Sequence, residues 1–258
     1  MKTYISWSGG KDSTASVILC HEHNIHLDGI IMSEVMYDHS RNISGENPQQ
    51  IKWIYEVAIP KFESWGYNVT ILRDKEDYLS LFNHIITTSK DENRNGKRQG
   101  FLFGGGCLAN DRLKMRPLRK YFKQVGEHMQ IVGIAVDEDE RLERLHKQEN
   151  KYSILEKYSY TEQMAFNLCE RYDLLSPIYN YSFRGGCWFC PNAKIKERCE
   201  FRKNYPQLWQ ELIELGDLPN LAQKGFDYGK TIQEVTNEMD KYDKFINTQM
   251  KFDLDELK

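Results

Sequence analysis

Short runs of β-branched and aromatic residues alternate, in the first part of the chain, with segments that have helical spacing. In the segment 48–65 apolar residues recur every three or four positions, which is the spacing of one helix face. Asn47 and Pro48 are typical of an N-cap and a first helical position, and Pro60 is expected to kink this helix. The runs expected to form strands are 2–7, 28–33, 67–72 and 129–136, and another helix is expected at 11–23.

This alternation predicts an α/β fold with a doubly wound, Rossmann-like parallel sheet covered by helices on both faces. Such sheets bind ligands at the carboxyl ends of their strands. Later in the chain the rhythm weakens: a helix is predicted at 161–174, a loop at 176–192 and mostly helical, charged structure at 197–258. We therefore expect a nucleotide-binding domain at 1–150 and a mostly helical, cysteine-containing region at 151–258.

Composition narrows the class of protein. A chain of 258 residues that is 40% hydrophobic can bury a sizeable core, which excludes a disordered or fibrous protein. Its 35 basic and 38 acidic residues give a net charge of -3, so no global basic field indicates nucleic acid. No apolar stretch has the length of a signal peptide or membrane span, so we expect a cytoplasmic protein without a membrane partner. In that compartment the six cysteines are more naturally metal ligands, reactive thiols or buried residues than disulfides.

A glycine-rich turn follows the first predicted strand, where residues 4–13 read YISWSGGKDS. The two glycines permit backbone conformations closed to other residues, and the helix that follows aims free amide groups at the turn, a geometry that binds phosphate. Asp12 can hold Mg²⁺ coordinated to phosphate oxygens, and it also separates the string from a Walker A loop, which has a hydroxyl residue directly after lysine. The residues expected to bind the nucleotide here are Ser6, Ser8, Gly9, Gly10, Lys11, Asp12 and Ser13.

The string SGGKDS resembles the PP-loop, SGGxDS, of the ATP pyrophosphatase superfamily, in which the loop grips the pyrophosphate of ATP while an adenylate forms. Three further segments resemble the phosphoadenylylsulfate (PAPS) reductase-like branch: CLANDRLKMRPLRKYF at 107–122, GIAVDE at 133–138 with Arg141, and LLSPIYNYSFRGGCWFCP at 174–191. The resemblance covers roughly residues 1–200 and implies the adenine nucleotide alpha hydrolase-like fold with ATP and Mg²⁺ as ligands. It adds Gly133, Asp137 and Arg141 to the expected nucleotide-binding residues.

The chain also departs from the reductases of that branch. They attack sulfate with a cysteine in a carboxy-terminal tail, whereas this chain has no cysteine after Cys199. Ala135 stands where the family has an arginine, and Cys107 stands alone where the cluster-bearing adenylylsulfate reductases have an adjacent pair. These departures put sulfate reduction in doubt and favour ATP-dependent sulfur transfer, as in tRNA thiolation enzymes.

The cysteines of the CWFC string at 187–190 have the two-residue spacing that lets two thiolates reach one ion. The resemblance brings Cys107 to the same site, and Cys199 is a fourth candidate ligand. Four thiolates can hold a [4Fe-4S] cluster or a structural Zn²⁺; the resemblance favours the cluster, and without Cys199 one iron would stay open to bind sulfide. Cys20 and Cys169 are expected to be small buried residues.

Charged residues near these motifs supply further candidates. Lys114 and Arg116 of the matched basic segment, with Arg184 before the CWFC string, are expected to bind a substrate anion, although a solvated helix face is an equally good interpretation of the basic segment. Carboxylates that follow predicted strands face the ligand-binding edge or cap helices, and the polar, glycine-rich stretch 91–106 is expected to be a mobile loop there. The carboxylates in question are Asp38, Glu46, Asp137 and Glu138.

Three alternative functions are consistent with these sequence features. The first is an AMP- and pyrophosphate-forming sulfurtransferase with Lys11, Asp12 and Cys107 as catalytic residues and a cysteine-bound [4Fe-4S] cluster. Its sulfur source would be sulfide or a donor protein, and tRNA, DNA or a small carboxylate or amide would each suit as substrate. The second is a sulfonucleotide reductase that uses an external thiol, and the third is a zinc-stabilised nucleotide-binding module.

Overall fold

A computed structural model of the chain describes residues 1–103 and 106–255, with the side chains of the last helix described only up to residue 246 and at Thr248. The strands are β1 (Lys2–Ser6), β2 (Gly29–Glu34), β3 (Met36–Asp38), β4 (Ile43–Ser44), β5 (Val69–Arg73), β6 (Arg98–Gly100), β7 (His128–Val132), β8 (Lys151–Ser153) and β9 (Leu221–Gln223). The α-helices are α1 (Lys11–Glu22), α2 (Pro48–Trp53), α3 (Ile59–Ser64), α4 (Tyr78–Asn83), α5 (Arg116–Val125), α6 (Asp139–Leu145), α7 (Ile154–Lys157), α8 (Glu162–Arg171), α9 (Ile195–Asn204), α10 (Pro206–Asp217) and α11 (Ile232–Asp255).

The central sheet has the order β5-β2-β1-β7-β8, and all of its pairings are parallel. Helices cover both faces of the sheet. Adjacent residues of β1 point to opposite faces, so neighbouring side chains of this strand pack against different helices. Ile5 belongs to a core cluster with α1, α3 and α8, whereas Tyr4 packs edge-on against Tyr121 and Phe122 of α5. The predicted doubly wound α/β fold is therefore confirmed, as is the mainly helical carboxy-terminal part.

Two large hydrophobic clusters, beside a small one at Ile134, Leu142 and Leu145, pack the described residues. The first contains residues from Ile5 to Leu174, and the second joins the segment 78–113 to residues from Trp188 to Met239. The boundary predicted near residue 150 lies between β7 and β8, which pair with each other, and α8 packs on the first cluster. The division into a nucleotide-binding domain at 1–150 and a helical region at 151–258 stays a prediction.

Local signals explain most element boundaries. The Asn47 side chain accepts a hydrogen bond from the Gln49 amide (3.0 Å), and Thr161 caps α8 in the same way. Before Pro60, which lacks an amide hydrogen, the helix widens into a π-helical turn at Ile54–Ala58, as expected of a proline inside a helix.

The stretch 91–106 combines a 3₁₀ turn at Glu92–Arg94 with β6, which pairs with β9 of the carboxy-terminal region. Its glycines 104 and 105 lie outside the described residues, so its predicted mobility stays a prediction. Within residues 1–103 and 106–255, no helix combines the length and the hydropathy needed to cross a membrane.

Candidate active site

The glycine turn lies at the carboxyl end of β1, in the middle of the sheet. Gly9 has a φ of +73°, and a Cβ there would come within 2.7 Å of Ile54 Cδ1, so both backbone conformation and space require glycine. The Ser13 hydroxyl accepts a hydrogen bond from the Ser8 amide (3.1 Å) and donates one to the Gly10 carbonyl (3.0 Å). These bonds hold the loop against the first turn of α1.

Gly133 brings the end of β7 against the same turn of α1. A Cβ at this position would lie 2.6 Å from the Ser13 amide nitrogen and 2.7 Å from the Asp12 carbonyl carbon, both of which are backbone atoms. Backbone atoms of a helix start cannot move aside as a flexible side chain can. The glycine predicted from the GIAVDE segment is therefore needed for the close approach of β7 to the loop.

A cavity of about 170 Å³ opens beside the loop, and we call it the nucleotide cavity. Three basic side chains, those of Lys114, Arg141 and Arg184, contribute to its walls, so it favours an anionic ligand. Eight of the residues predicted from sequence meet here although they come from four separate segments. The full lining is Ser8, Gly10, Asp12, Ser13, Glu46, Lys114, Gly133, Arg141, Tyr179, Arg184, Gly185 and Gly186.

Lys11 is held at the rim by two carboxylates. Its Nζ lies 2.9 Å from Asp12 Oδ1 and 2.9 Å from Glu162 Oε1 at the start of α8. Burial alone would lower the pKa of Lys11, but the hydrogen bonds to Asp12 and Glu162 outweigh it and raise the pKa, so the side chain is a cation. Burial raises the pKa of Asp12 in spite of its contact with Lys11.

Other predicted anion-binding and nucleotide-binding residues lie elsewhere. Arg116, at the start of α5, makes ion pairs with Asp74 and Glu76 near the end of β5. Arg116 is therefore not part of the lining of the nucleotide cavity, and its binding of a substrate anion stays a prediction. The Ser6 hydroxyl accepts a hydrogen bond from Gln130 within the sheet, and the Asp137 carboxylate accepts one from the Glu162 amide (3.0 Å).

Glu46 and Tyr179 add groups that the motifs did not assign to the nucleotide. Glu46 is 2% exposed, and burial raises the pKa of its carboxyl while the charge of Lys114 opposes that rise. Tyr179 accepts a hydrogen bond from the Lys11 amide (2.8 Å), so its own hydroxyl hydrogen remains to be donated. The sequence placed Glu46 at the ligand-binding edge as one of several carboxylates. Tyr179 lies inside the matched 174–191 segment, which was the signal available for it in the sequence.

Solved structures similar to this chain were found among known proteins. No protein-family model and no curated protein matches the chain. The phosphoadenylyl-sulfate (PAPS) reductase from Candida auris, in a phosphate complex, is similar with a TM-score of 0.48 and 10% identity over 74% of this chain and 83% of that one. The U34-tRNA thiolase NcsA from Methanococcus maripaludis, with its [4Fe-4S] cluster, is similar with a TM-score of 0.41 and 18% identity over 82% of this chain and 66% of that one.

A second cavity, of about 40 Å³, contains three of the four predicted ligand cysteines, and we call it the three-cysteine cavity. Cys107 is brought there by a β-bridge to Phe103, and its Sγ accepts a hydrogen bond from the Asn110 amide (3.4 Å). Its other walls are almost entirely apolar. The full lining is Tyr78, Phe101, Leu102, Phe103, Cys107, Ala109, Cys187, Phe189, Cys190, Pro191 and Phe226.

The thiols of this cavity are not equally free. Burial raises the pKa of Cys107, and it raises the pKa of Cys187 well above its ordinary value, with Glu46 and Cys190 adding to the effect. Arg184 lies close to Cys190, with Nη2 3.5 Å from its Sγ. Ligation to a metal would displace the protons that burial keeps on Cys107 and Cys187.

Cys199 is not brought to this cavity. It lies on α9, its Sγ is 3.8 Å from the Met239 carbonyl oxygen of α11, and it faces a separate groove with Arg202 and Asp243. Cys20 and Cys169 are fully buried in the first hydrophobic cluster, as the sequence indicated. The structure thus groups three cysteines and leaves the other three apart.

The arrangement of the three cysteines restricts the kind of metal group that they could hold. Across the described residues, no three His, Cys, Asp or Glu side chains converge closely enough to hold one metal ion. A single tetrahedral Zn²⁺ with Zn–S bonds of about 2.3 Å needs such convergence, with sulfurs roughly 3.8 Å apart. A multi-iron cluster takes each thiolate on a different iron, so its ligands surround a cavity instead of meeting at a point. The three cysteines line one apolar cavity without meeting at a point.

One short segment separates the two cavities. Arg184, Gly185 and Gly186 form part of the nucleotide cavity, and Cys187 and Cys190 belong to the three-cysteine cavity. A β-bridge between Glu46 and Cys187, and a hydrogen bond from the Trp188 amide to the Gly45 carbonyl (2.9 Å), fix this segment to the loop after β4. Gly185 fits because a Cβ there would lie 2.6 Å from Gln50 Nε2. We call residues 184–190 the shared wall.

Proposed function

We propose that this protein binds ATP and Mg²⁺ at the PP-loop, transfers the adenylyl group to an oxygen of a substrate and lets a sulfur atom displace AMP. The observation that supports this most strongly is the shared wall. Its first residues border the cavity built for phosphates, and its last residues are cysteines of the second cavity. A substrate activated at the α-phosphate would therefore lie within a short turn of the sulfur chemistry.

The residues of the nucleotide cavity would divide the first step among them. The substrate oxygen attacks the α-phosphorus, a new P–O bond forms, and the bond to the β-phosphate oxygen breaks so that pyrophosphate leaves. Lys11 and the amides at the start of α1 would stabilise charge on the departing pyrophosphate, and Asp12 would hold Mg²⁺. Arg141 and Lys114 would neutralise the remaining phosphate charge.

In the second step a sulfur nucleophile attacks the atom that carries the adenylate, the bond from that atom to the adenylate oxygen breaks and AMP leaves. Cys107, Cys187 and Cys190 would hold a [4Fe-4S] cluster, which when bound presents an iron without a protein ligand and can carry sulfide. Arg184, which is close to Cys190 and also borders the nucleotide cavity, would orient the substrate anion between the two cavities. The sulfur would come from sulfide or a donor protein, and the substrate would be tRNA, DNA or a small carboxylate or amide.

Anaerobic purification followed by metal analysis tests the cofactor. We expect iron and a broad visible absorption. The same preparation is then given labelled ATP together with the RNA, DNA and small-molecule fractions of a cell extract. Pyrophosphate release with one fraction supports the proposal. Zinc with no pyrophosphate release from any fraction would indicate a nucleotide-binding module. Sulfite release from adenylylsulfate and thioredoxin, without ATP consumption, would indicate a reductase.

Lys11→Met tests the role of the PP-loop. We expect pyrophosphate release to fall about 100- to 1000-fold, because the variant loses one preorganised group that stabilises transition-state charge. Lys120→Met is the matched control, since Lys120 lies on α5 and is exposed. Equal rates for the two variants would contradict the assignment of Lys11.

A further inference from the structure

The side chain of Gln50, on α2, lies between the glycine turn and the shared wall, and it is fully buried. A Cβ on Gly9 of the turn would lie 2.9 Å from Gln50 Nε2. A Cβ on Gly185 of the shared wall would lie 2.6 Å from the same nitrogen and 2.7 Å from Gln50 Oε1. One amide group therefore touches both segments, and each segment approaches it with a residue that has no side chain.

The hydrogen bonds of this amide are incomplete. A glutamine side chain can donate two hydrogen bonds and accept two. Gln50 Nε2 donates to the Ser8 carbonyl over a long distance of 3.5 Å, and Gln50 Oε1 is buried without a hydrogen-bond partner among the described residues. Leaving a buried acceptor unpaired is costly, so the position of this oxygen needs a reason.

A donor without a partner lies beside this acceptor. Within the part of the chain that the structure describes, the backbone amide of Gly185 makes no hydrogen bond. The helix that carries Gln50 is also held near this segment, because the Asn47 side-chain amide donates a hydrogen bond to the Tyr181 hydroxyl (2.9 Å). A small movement of Gly185 against Gln50 would therefore pair the free donor with the free acceptor.

A bound nucleotide would supply this movement. Ser8, on one side of Gln50, and Arg184 and Gly185, on the other, all contribute to the nucleotide cavity. Phosphates held by the amides of the turn and by Arg184 would draw the two segments together, with the Gln50 amide between them. The segment drawn in this way continues directly into Cys187 of the three-cysteine cavity.

We propose that Gln50 is a positioning residue that carries the effect of nucleotide binding from the glycine turn to the cysteines of the shared wall. With nucleotide bound, its Oε1 accepts a hydrogen bond from the Gly185 amide and fixes the segment that holds Cys187 and Cys190. The proposal rests on the proposed function in taking ATP as the ligand of the nucleotide cavity. Two sites are coupled when a contact between them differs in the two states, and the Gln50 amide is that contact.

Hydrogen–deuterium exchange of the full-length protein, read by mass spectrometry, tests the coupling. The ligand is Mg²⁺ with an ATP analogue that has a methylene bridge between the α- and β-phosphates. The reporter is the segment 187–193, none of whose residues lines the nucleotide cavity. In the wild type we expect slower exchange in the turn at 6–13 and about fivefold slower exchange in the reporter, the factor that one net hydrogen bond gives.

Gln50→Met replaces the amide by an apolar side chain of similar length. It should keep the slowing in the turn and lose the slowing in the reporter. Gln49→Met, at the neighbouring half-buried glutamine of α2, is the matched control and should keep both. Gly185→Ala is a second variant that should behave like Gln50→Met, because its Cβ takes the space of the Gln50 amide. Thermal unfolding without nucleotide checks that the variants fold alike.

Two results would overturn this proposal and leave the proposed function intact. One is a wild type in which the turn is protected and the reporter is not. The other is equal protection of the reporter in the wild type and in Gln50→Met. An analogue that slows exchange in neither segment of the wild type would count against nucleotide binding itself, and would overturn the proposed function together with the role of Gln50.

Discussion

Several basic side chains in or beside the nucleotide cavity lie close to carboxylates, whereas the three-cysteine cavity has almost no charge at all. Lys11 contacts Asp12 and Glu162, Arg141 pairs with Glu138, and Lys114 lies near the buried Glu46. Around the three cysteines the walls are aromatic and aliphatic, with Tyr78 as the only other polar side chain that borders the cavity among the described residues.

The two cavities therefore differ in how their side chains would meet a ligand. In the nucleotide cavity basic side chains are already held by carboxylates, and the phosphates of a bound nucleotide would have to compete with those carboxylates. In the three-cysteine cavity burial raises the pKa of Cys107 and Cys187, so a metal bound there would have to displace their protons. Under the proposed function, the first site would select its ligand by charge and the second by the identity of the metal.

The largest effect should come from removing single cysteines. Replacing Cys187 by serine should reduce bound iron to background, since a cluster with one of three ligands missing is not retained. Cys199→Ser, the matched control, should keep its iron, because Cys199 faces a different groove. Iron per chain and visible absorbance after anaerobic purification measure both. Equal iron loss in the two variants would mean that Cys199 moves into the cavity on metal binding.

Sequence reasoning predicted the strands around the glycine turn well. Strands were expected at 2–7, 28–33 and 67–72 and are found at Lys2–Ser6, Gly29–Glu34 and Val69–Arg73. The glycine turn between β1 and α1 could be predicted because glycines, a strand end and a helix start are adjacent in the chain, so local rules apply. The run expected to extend to residue 136 leaves the sheet after Val132, since Gly133 must approach α1.

What the sequence missed depends on contacts between distant segments. The edge strand β8 is only Lys151–Ser153 and has no alternating pattern to reveal it. The Lys11–Glu162 pair exists because α8 packs on α1, and the position of Tyr78 depends on the second cluster, which joins two separate segments. Cys107 was placed with the CWFC cysteines by the resemblance alone. Spacing along the chain does not predict such meetings, because the fold brings the segments together.

A smaller effect is expected from relieving the competition at Lys11. Glu162→Gln removes one of the two carboxylates that hold the ammonium group, and the Glu162 side chain is 50% exposed, so the pair contributes modestly. We expect ATP to bind about two- to fivefold more tightly, measured by calorimetry in the presence of Mg²⁺. Glu22→Gln is the control, because Glu22 pairs with Arg171 at the other end of α1. Weaker ATP binding by Glu162→Gln would show that Glu162 contacts the nucleotide complex instead of competing with it.

The smallest expected effect concerns Cys169, a buried thiol outside the three-cysteine cavity. Cys169 lies beneath the PP-loop, its Sγ donates a hydrogen bond to the Lys11 carbonyl (3.2 Å), and burial raises its pKa to about 12 from a reference value of 9.0. Between those two values the unfolded chain loses a proton that the folded protein keeps. The free energy of unfolding therefore falls as pH rises from about 9 towards 12, by about 1.4 kcal/mol per pH unit for one such thiol.

Cys169→Ala removes that dependence. At pH 7 the variant should be less stable by about 1 kcal/mol, because a small buried side chain is lost. Above pH 9 the difference from wild type should shrink, since only the wild type carries the penalty of a buried thiol that resists ionisation. Urea denaturation at pH 8, 9 and 10 measures it, with Ser16→Ala, a buried and non-titrating change on α1, as the control whose effect stays constant. A constant difference for Cys169→Ala as well would mean that this thiol ionises in the folded protein. In that case burial alone would not separate the structural thiols from those of the three-cysteine cavity.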